Sequence, residues 1–203
     1  EEVYNAMGSA HIKTGSIGKA LGSLGGFISG SRETVEYIRR CMDASNFYNG
    51  NSGVQVAMAR AALHVLRTET WRIAKGKENA AYFEALLKER GFATVPRSQE
   101  SQIVAARFHQ PREVALEFST RLFALGFFVP LMLGEGDPFF RCPISSAFNK
   151  HELEEAADAF ATVAYDLRII DAAPAHRITA PILRRPYPES YRKKEARSDD
   201  EET

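Results

Sequence analysis

The chain has 203 residues, with 26 basic and 26 acidic side chains and a formal charge of zero. At 44% hydrophobic and 26% charged residues, it has the composition of an ordinary globular protein long enough to bury a core without staples. The charge balance, with no basic stripe or RNA-binding motif, excludes a general electrostatic affinity for nucleic acid.

In chain order, the opening residues EEVYNAMGSA are acidic and poor in apolar side chains, unlike a signal peptide, so the expected location is cytoplasmic. Residues 11–31 (HIKTGSIGKALGSLGGFISGS) hold too many glycines for a helix and read as a short strand, a loop and a second strand at Gly26 to Ser29. Ser31 caps a helix from Arg32 to Asp43, with Val35, Ile38 and Met42 on one face. The polar turn ASNFYNGNSG leads to a long helix over Val54 to Ala74, with Val54, Met58, Ala61 and Val65 on one face, and Gly76 interrupts it. A further helix, Asn79 to Arg90, stops at Gly91.

The pattern then shortens to strands at Phe92 to Val95 and Gln102 to Phe108. Pro111 opens a helix with Ala115, Phe118, Leu122 and Leu125 inward, and Gly126 ends it. Leu122 to Leu133 is the most apolar stretch, but it is far shorter than a membrane span. Strands follow at Phe127 to Val129 and Phe139 to Cys142, then a helix from Lys150 to Leu167 capped by Asn149, with Glu152 completing a capping box. Residues 92–168 therefore read as a small α+β module with helices on one side of a sheet. The tail RRPYPESYRKKEARSDDEET reads as extended or disordered, either solvated or an arm for a larger complex. Two cysteines, Cys41 and Cys142, are too few for a disulfide framework, and five scattered histidines make no metal-binding pair.

TGSIGKALGSLGG places Lys19 in a flexible loop. A phosphate-binding P-loop fails here, because Lys13 stands where the early glycine belongs and Ala20 replaces the hydroxyl after the lysine. Two readings of the lysine stand on this segment. It is either a Schiff-base amine among small residues that let a flat cofactor approach, or a solvated lysine in a glycine-rich linker.

TGSIGKALGSLGGFISGS resembles the segment around the cofactor lysine of the α-oxoamine synthases, which typically reads G-T-x-x-K-[AS]-x-G followed by G-G-[FY]. These are pyridoxal-phosphate enzymes of fold type I, among them serine palmitoyltransferase, aminooxononanoate synthase and aminoketobutyrate ligase. The resemblance implies that Lys19 carries pyridoxal phosphate as a Schiff base and that Ser16 contacts its phosphate. FFRCPISSAFNKHELEEAADAF is similar to the family's late segment, which makes Arg141 the clamp for the amino-acid carboxylate. A planar guanidinium suits that task, because it binds a carboxylate through two parallel hydrogen bonds. The likeness covers residues 11–168, and ESQIVAARF matches the strand that opens the family's small domain.

Three departures stand out. The family's F-[ST]-x-S-L-P-P turn reads here Phe47, Tyr48, Asn49, Gly50, Asn51, Ser52, Gly53. Tyr48 or Asn49 is the candidate to reach the phosphate across a dimer interface, and both also read as ordinary turn residues. The loop Pro130 to Pro138 is short and lacks the family's R-P-P. The aspartate motif expected some thirty residues before the lysine is not matched; Glu1 stands only 18 residues before Lys19 and is not assigned.

The fold class expected is α/β: the C-terminal part of a fold-type I pyridoxal-phosphate transferase. Residues 1–90 would complete the large domain, 91–170 form the small α+β domain and 171–203 the charged tail. The resemblance implies condensation of an amino acid with an acyl thioester and loss of carbon dioxide, in a homodimer or with a chain supplying the N-terminal half. The alternatives are an aminotransferase of the same fold and a non-catalytic subunit that keeps it. No metal is expected.

Overall fold

The glycine-rich opening folds as a β-hairpin in the computed structural model, which describes residues 8–42, 50–98, 100–134 and 136–182. Strand β1 (Lys13–Ser16) pairs antiparallel with β2 (Gly26–Ser29), so that Gly15 faces Phe27 and Ser16 faces Gly26. The strands approach closely: a Cβ on Gly26 would lie 2.7 Å from the Gly15 carbonyl oxygen. Helix α1 (Arg32–Cys41) starts where expected, with Ser31 Oγ accepting from Thr34 N at 3.2 Å. Helix α2 (Gly53–Thr68) has a reciprocal cap, in which Ser52 Oγ accepts from Gln55 N and Gln55 Oε1 accepts from Ser52 N at 2.7 Å.

The helix expected to run to residue 74 breaks earlier. Glu69 leaves the helical region (φ −116°, ψ 55°) after its N–H closes on Val65 O, and helix α3 restarts at Trp71 and runs to Glu89. Gly76 lies inside α3 and does not interrupt it. Its bare backbone makes room for Gln102, whose side-chain oxygen would sit 2.5 Å from a Cβ there. Gly91 ends α3 at φ +86°, with Phe92 N–H donating to Leu87 O at 3.0 Å and Gly91 N–H to Lys88 O.

The described residues form two compact units, Glu1–Ala74 and Lys75–Thr203. Ala80, Phe83, Leu86 and Leu87 of α3 belong to the core of the second unit.

In the second unit, strands β3 (Ile103–Arg107), β4 (Leu131–Met132) and β5 (Phe139–Pro143) form an antiparallel sheet in the order β3-β5-β4. The strand expected at Phe92 to Val95 shrinks to a bridge, Thr94 against Ala106. The one expected at Phe127 to Val129 starts later, at Leu131. Gly126 (φ +93°) turns the chain so that Phe127 N–H still closes helix α4 (Arg112–Ala124) on Leu122 O. Pairing with β5 begins only at Pro130 O, which accepts from Arg141 N at 2.9 Å.

Val104, Ala106, Phe140 and Cys142 are buried on one face of this sheet. Against it pack Phe83 of α3, Phe118 and Leu122 of α4, and Leu153 and Phe160 of helix α5 (Lys150–Asp166). Phe118 lies at the centre, its ring 4.8 to 6.2 Å from those of Phe92, Phe108, Phe140 and Phe160. The expectation of helices on one side of a small sheet holds. Residues 171–182 lack helix or strand and run back over the unit, with Ile178 N–H on Thr162 Oγ1 and Ile182 N–H on Leu125 O. The rest of the charged tail, 183–203, lies outside the described residues. Among the described residues no helix is long and apolar enough to cross a membrane.

The first unit differs in kind. Its buried described residues are Ile17 and Ser23 alone. Val54, Met58 and Val65, expected to face a core from α2, are 71%, 49% and 36% exposed. The amphipathic pattern is real, but nothing among the described residues covers it.

Candidate functional site

Lys19 sits in the loop that joins β1 to β2. The loop is drawn together at its base by Ile17 N–H on Gly25 O (3.0 Å) and Ser23 N–H on Ile17 O (2.9 Å). Within it a tight turn brings Gly22 N–H to Lys19 O at 3.0 Å, with Gly22 at φ +59°, a conformation that favours glycine. Ser23 Oγ donates to Gln55 O at 2.8 Å and ties the loop to the start of α2. The lysine is held out by a fixed backbone. Its side chain is exposed, with no hydrogen-bond or ion-pair partner among the described residues.

Ser16 ends β1 on the same loop. Its Oγ accepts from Gly18 N at 3.2 Å, which occupies the oxygen as an acceptor and leaves the hydroxyl hydrogen to donate. An unpartnered amine, a hydroxyl ready to donate and glycines at 15, 18 and 22 form a donor set that fits a phosphorylated aldehyde. Tyr48 and Asn49, the other candidate phosphate contacts, lie outside the described residues, as does Glu1.

Arg141 belongs to the other unit. It occupies the middle of β5, directly opposite Ala105 of β3. Its neighbours along the strand, Phe140 and Cys142, point into the core, so Arg141 is carried on the opposite face of the sheet. Burial pushes the Cys142 thiol up to about 12, whereas the half-buried Arg141 guanidinium has no partner among the described residues. No group of ligating side chains suited to a metal ion occurs among the described residues.

One residue that supports this strand escaped the sequence reading. Asn79 of α3 is 1% exposed and donates through Nδ2 to Ser145 O (2.9 Å) and Phe148 O (2.8 Å), holding the turn that follows β5. The signal was its spacing of four and seven from Phe83 and Leu86, which puts an amide on the apolar face of the helix.

The family described as aminotransferase class I and II matches residues 2–160. The 8-amino-7-oxononanoate synthase of Geobacter sulfurreducens is 29% identical over 175 residues, covering 83% of this chain and 44% of the relative. That of Bacillus subtilis is also 29% identical, covering 82% of this chain and 43% of the relative. A Sphingomonas wittichii serine palmitoyltransferase superposes with a TM-score of 0.75 at 18% identity, over 82% of this chain and 42% of that one. A serine palmitoyltransferase from S. paucimobilis, solved with bound PLP–myriocin aldimine, gives 0.73 at 21% over 80% of this chain and 42% of that one. The structural likenesses show the fold. The chain spans less than half the length of the curated relatives it matches.

Proposed function

The chain belongs to the class I and II aminotransferase family, and on that premise we propose that it is the C-terminal part of an α-oxoamine synthase, a pyridoxal-phosphate enzyme joining an amino acid to an acyl thioester. The observation that carries the reading is Lys19, an unpartnered amine held in a glycine loop beside the donating hydroxyl of Ser16. The late arginine and the relatives' names support it. In this reading residues 1–90 complete the large domain and 91–170 make the small one.

Lys19 Nζ holds the cofactor's aldehyde at rest. Ser16 Oγ–H donates to the phosphate, joined across a dimer interface by Tyr48 or Asn49. Held by Lys19 and Ser16, pyridoxal phosphate would supply an electron sink for the charge that develops at the amino acid's α-carbon. Arg141 would hold the amino-acid carboxylate through paired N–H donors. Lys19 Nζ, released from the aldehyde, takes the α-proton. The α-carbon would then attack the thioester carbonyl and expel the thiolate, which takes a proton from solvent; loss of the carboxylate as carbon dioxide leaves an electron pair at the α-carbon, to which Lys19 Nζ would return its proton to give the amino ketone.

The exposed apolar face of α2 supports a second element of the reading. The remainder of the large domain, in a longer polypeptide or a companion chain, covers Val54, Met58 and Val65 and supplies the carboxylate for the pyridine nitrogen. A cytoplasmic homodimer, or a complex with that chain, is the expected assembly.

The test is to add pyridoxal phosphate to the chain, alone and with such a companion. A visible absorption band that Lys19→Ala removes is the expected result. Amino acid and acyl thioester should then release free thiol. Absence of the band under every condition would sink the cofactor assignment, and amino transfer without thiol release would mark an aminotransferase instead.

A further inference from the structure

Arg141 shares its face of the sheet with a second arginine. Residues directly opposite one another in a sheet point to the same side, and residues two apart along a strand do likewise. Ile103 pairs with Pro143, Ala105 with Arg141 and Arg107 with Phe139. Met132 also pairs with Phe139. The face opposite the core therefore carries Ile103, Ala105, Arg107, Met132, Phe139, Arg141 and Pro143.

Apart from the two arginines this surface is apolar, and these strands place no carboxylate on it. Arg107 and Arg141 are diagonal neighbours, a relation that sets such positions roughly 7–8 Å apart. Arg107 is exposed and Arg141 half-buried, and neither has a hydrogen-bond or ion-pair partner among the described residues. Just before β5, the Asp137 carboxylate is already taken up by His109, Oδ2 to Nδ1 at 2.7 Å. Two like charges on neighbouring positions of one sheet face repel. Such a pair is stabilised when anions lie against it, and each planar guanidinium takes one carboxylate in bidentate fashion.

We propose that Arg107 is a specificity-determining residue: a second carboxylate of the substrates docks on it while Arg141 holds the carboxylate of the amino acid. The inference rests on the role given to Arg141 above. The second carboxylate has two sources, the side chain of an acidic amino acid or the far end of an acyl chain. Both present the same chemistry to Arg107.

Calorimetric titration of the full chain without cofactor tests this directly. Glutarate should bind about ten-fold or more tightly than butyrate, the gain expected of one further charge-assisted contact. Arg107→Gln should bring the ratio to about one, Arg107→Lys should retain part of it, and Arg141→Gln should weaken both ligands. Titrating glutamate against alanine, and an adipyl against a hexanoyl thioester, identifies the source: Arg107→Gln erases the preference in one arm only. A wild-type ratio near one, or a ratio unchanged in Arg107→Gln, would overturn the proposal. Loss of the pyridoxal-phosphate band leaves this measurement intact, so failure of the cofactor reading and failure of this one are separable. Far-ultraviolet circular dichroism of each variant checks folding, and the lysine variant decides the matter if the glutamine variant does not fold.

Discussion

Ala105 stands directly opposite Arg141 in the β3–β5 ladder, so the guanidinium rises from the sheet beside a methyl group. Cβ atoms of such pairs lie about 4.5–5.5 Å apart, within reach of a salt bridge. Ala105→Glu would supply the carboxylate that the face lacks. The substitution should raise KM for the amino acid about ten-fold or more and change kcat little, because it competes for the clamp and leaves the lysine untouched. Steady-state kinetics of the active assembly check it, and an unchanged KM would remove Arg141 from its assigned role.

The hairpin that presents Lys19 has little tolerance at Gly26. A Cβ there meets the Gly15 carbonyl oxygen at 2.7 Å, backbone against backbone, so no side chain can swing aside. Gly26→Ala should splay β1 from β2 and weaken pyridoxal-phosphate binding about ten-fold, the scale of a modest overpacking cost. Absorbance titration with the cofactor reads this. Circular dichroism should show the helices of the second unit intact.

Asn79 holds the turn after β5 from inside the core. Asn79→Leu keeps the volume but takes the donor from Phe148 O, while Ser145 O retains Phe148 N–H. Losing two hydrogen bonds made from within the core costs about 1–3 kcal/mol. Urea unfolding should show that loss.

Glu84 makes stability depend on pH. Burial pushes its carboxyl up, but hydrogen bonds from Lys88, Thr94 and Arg97 outweigh burial and hold it below the usual value. A group with a lowered folded value contributes stability above its unfolded pKa and loses it as pH falls through the folded one. Glu84→Gln should therefore cost about 1–3 kcal/mol at pH 7, with the gap closing below about pH 4. Chemical denaturation of both proteins across that range gives the answer.

The two thiols should react differently. Cys142 is 5% exposed, with its thiol pushed up to about 12 by burial, whereas Cys41 is exposed. Only the thiolate is nucleophilic. Iodoacetamide at neutral pH should label Cys41 alone in the native chain and both cysteines in urea, as mass spectrometry would show.

Much of this protein could be read from short stretches of its sequence. The caps at Ser31 and Asn149 join residues three apart, and the glycine stops at Gly91 and Gly126 act within a single turn. Such signals involve so few residues that they survive without knowledge of the fold. The hairpin around Lys19 and the strand bearing Arg141 were legible for the same reason. The apolar stripe on α2 was legible too, although no described residue covers it.

Tertiary structure decided what depends on residues far apart in the chain. Gly76 reads as a helix breaker until Gln102, from the next strand region, is found against it. Asn79 reads only as the start of a helix until two carbonyls nearly seventy residues later accept from it. Arg107 is one more surface cation until the register sets it on the same face as Arg141. A one-residue slip would turn Arg107 to the other side of the sheet, and only the packing of Val104, Ala106, Phe140 and Cys142 against the helices forbids it. Resemblance to short family motifs named the lysine and the arginine, whereas burial of the opposite face selected the company Arg141 keeps.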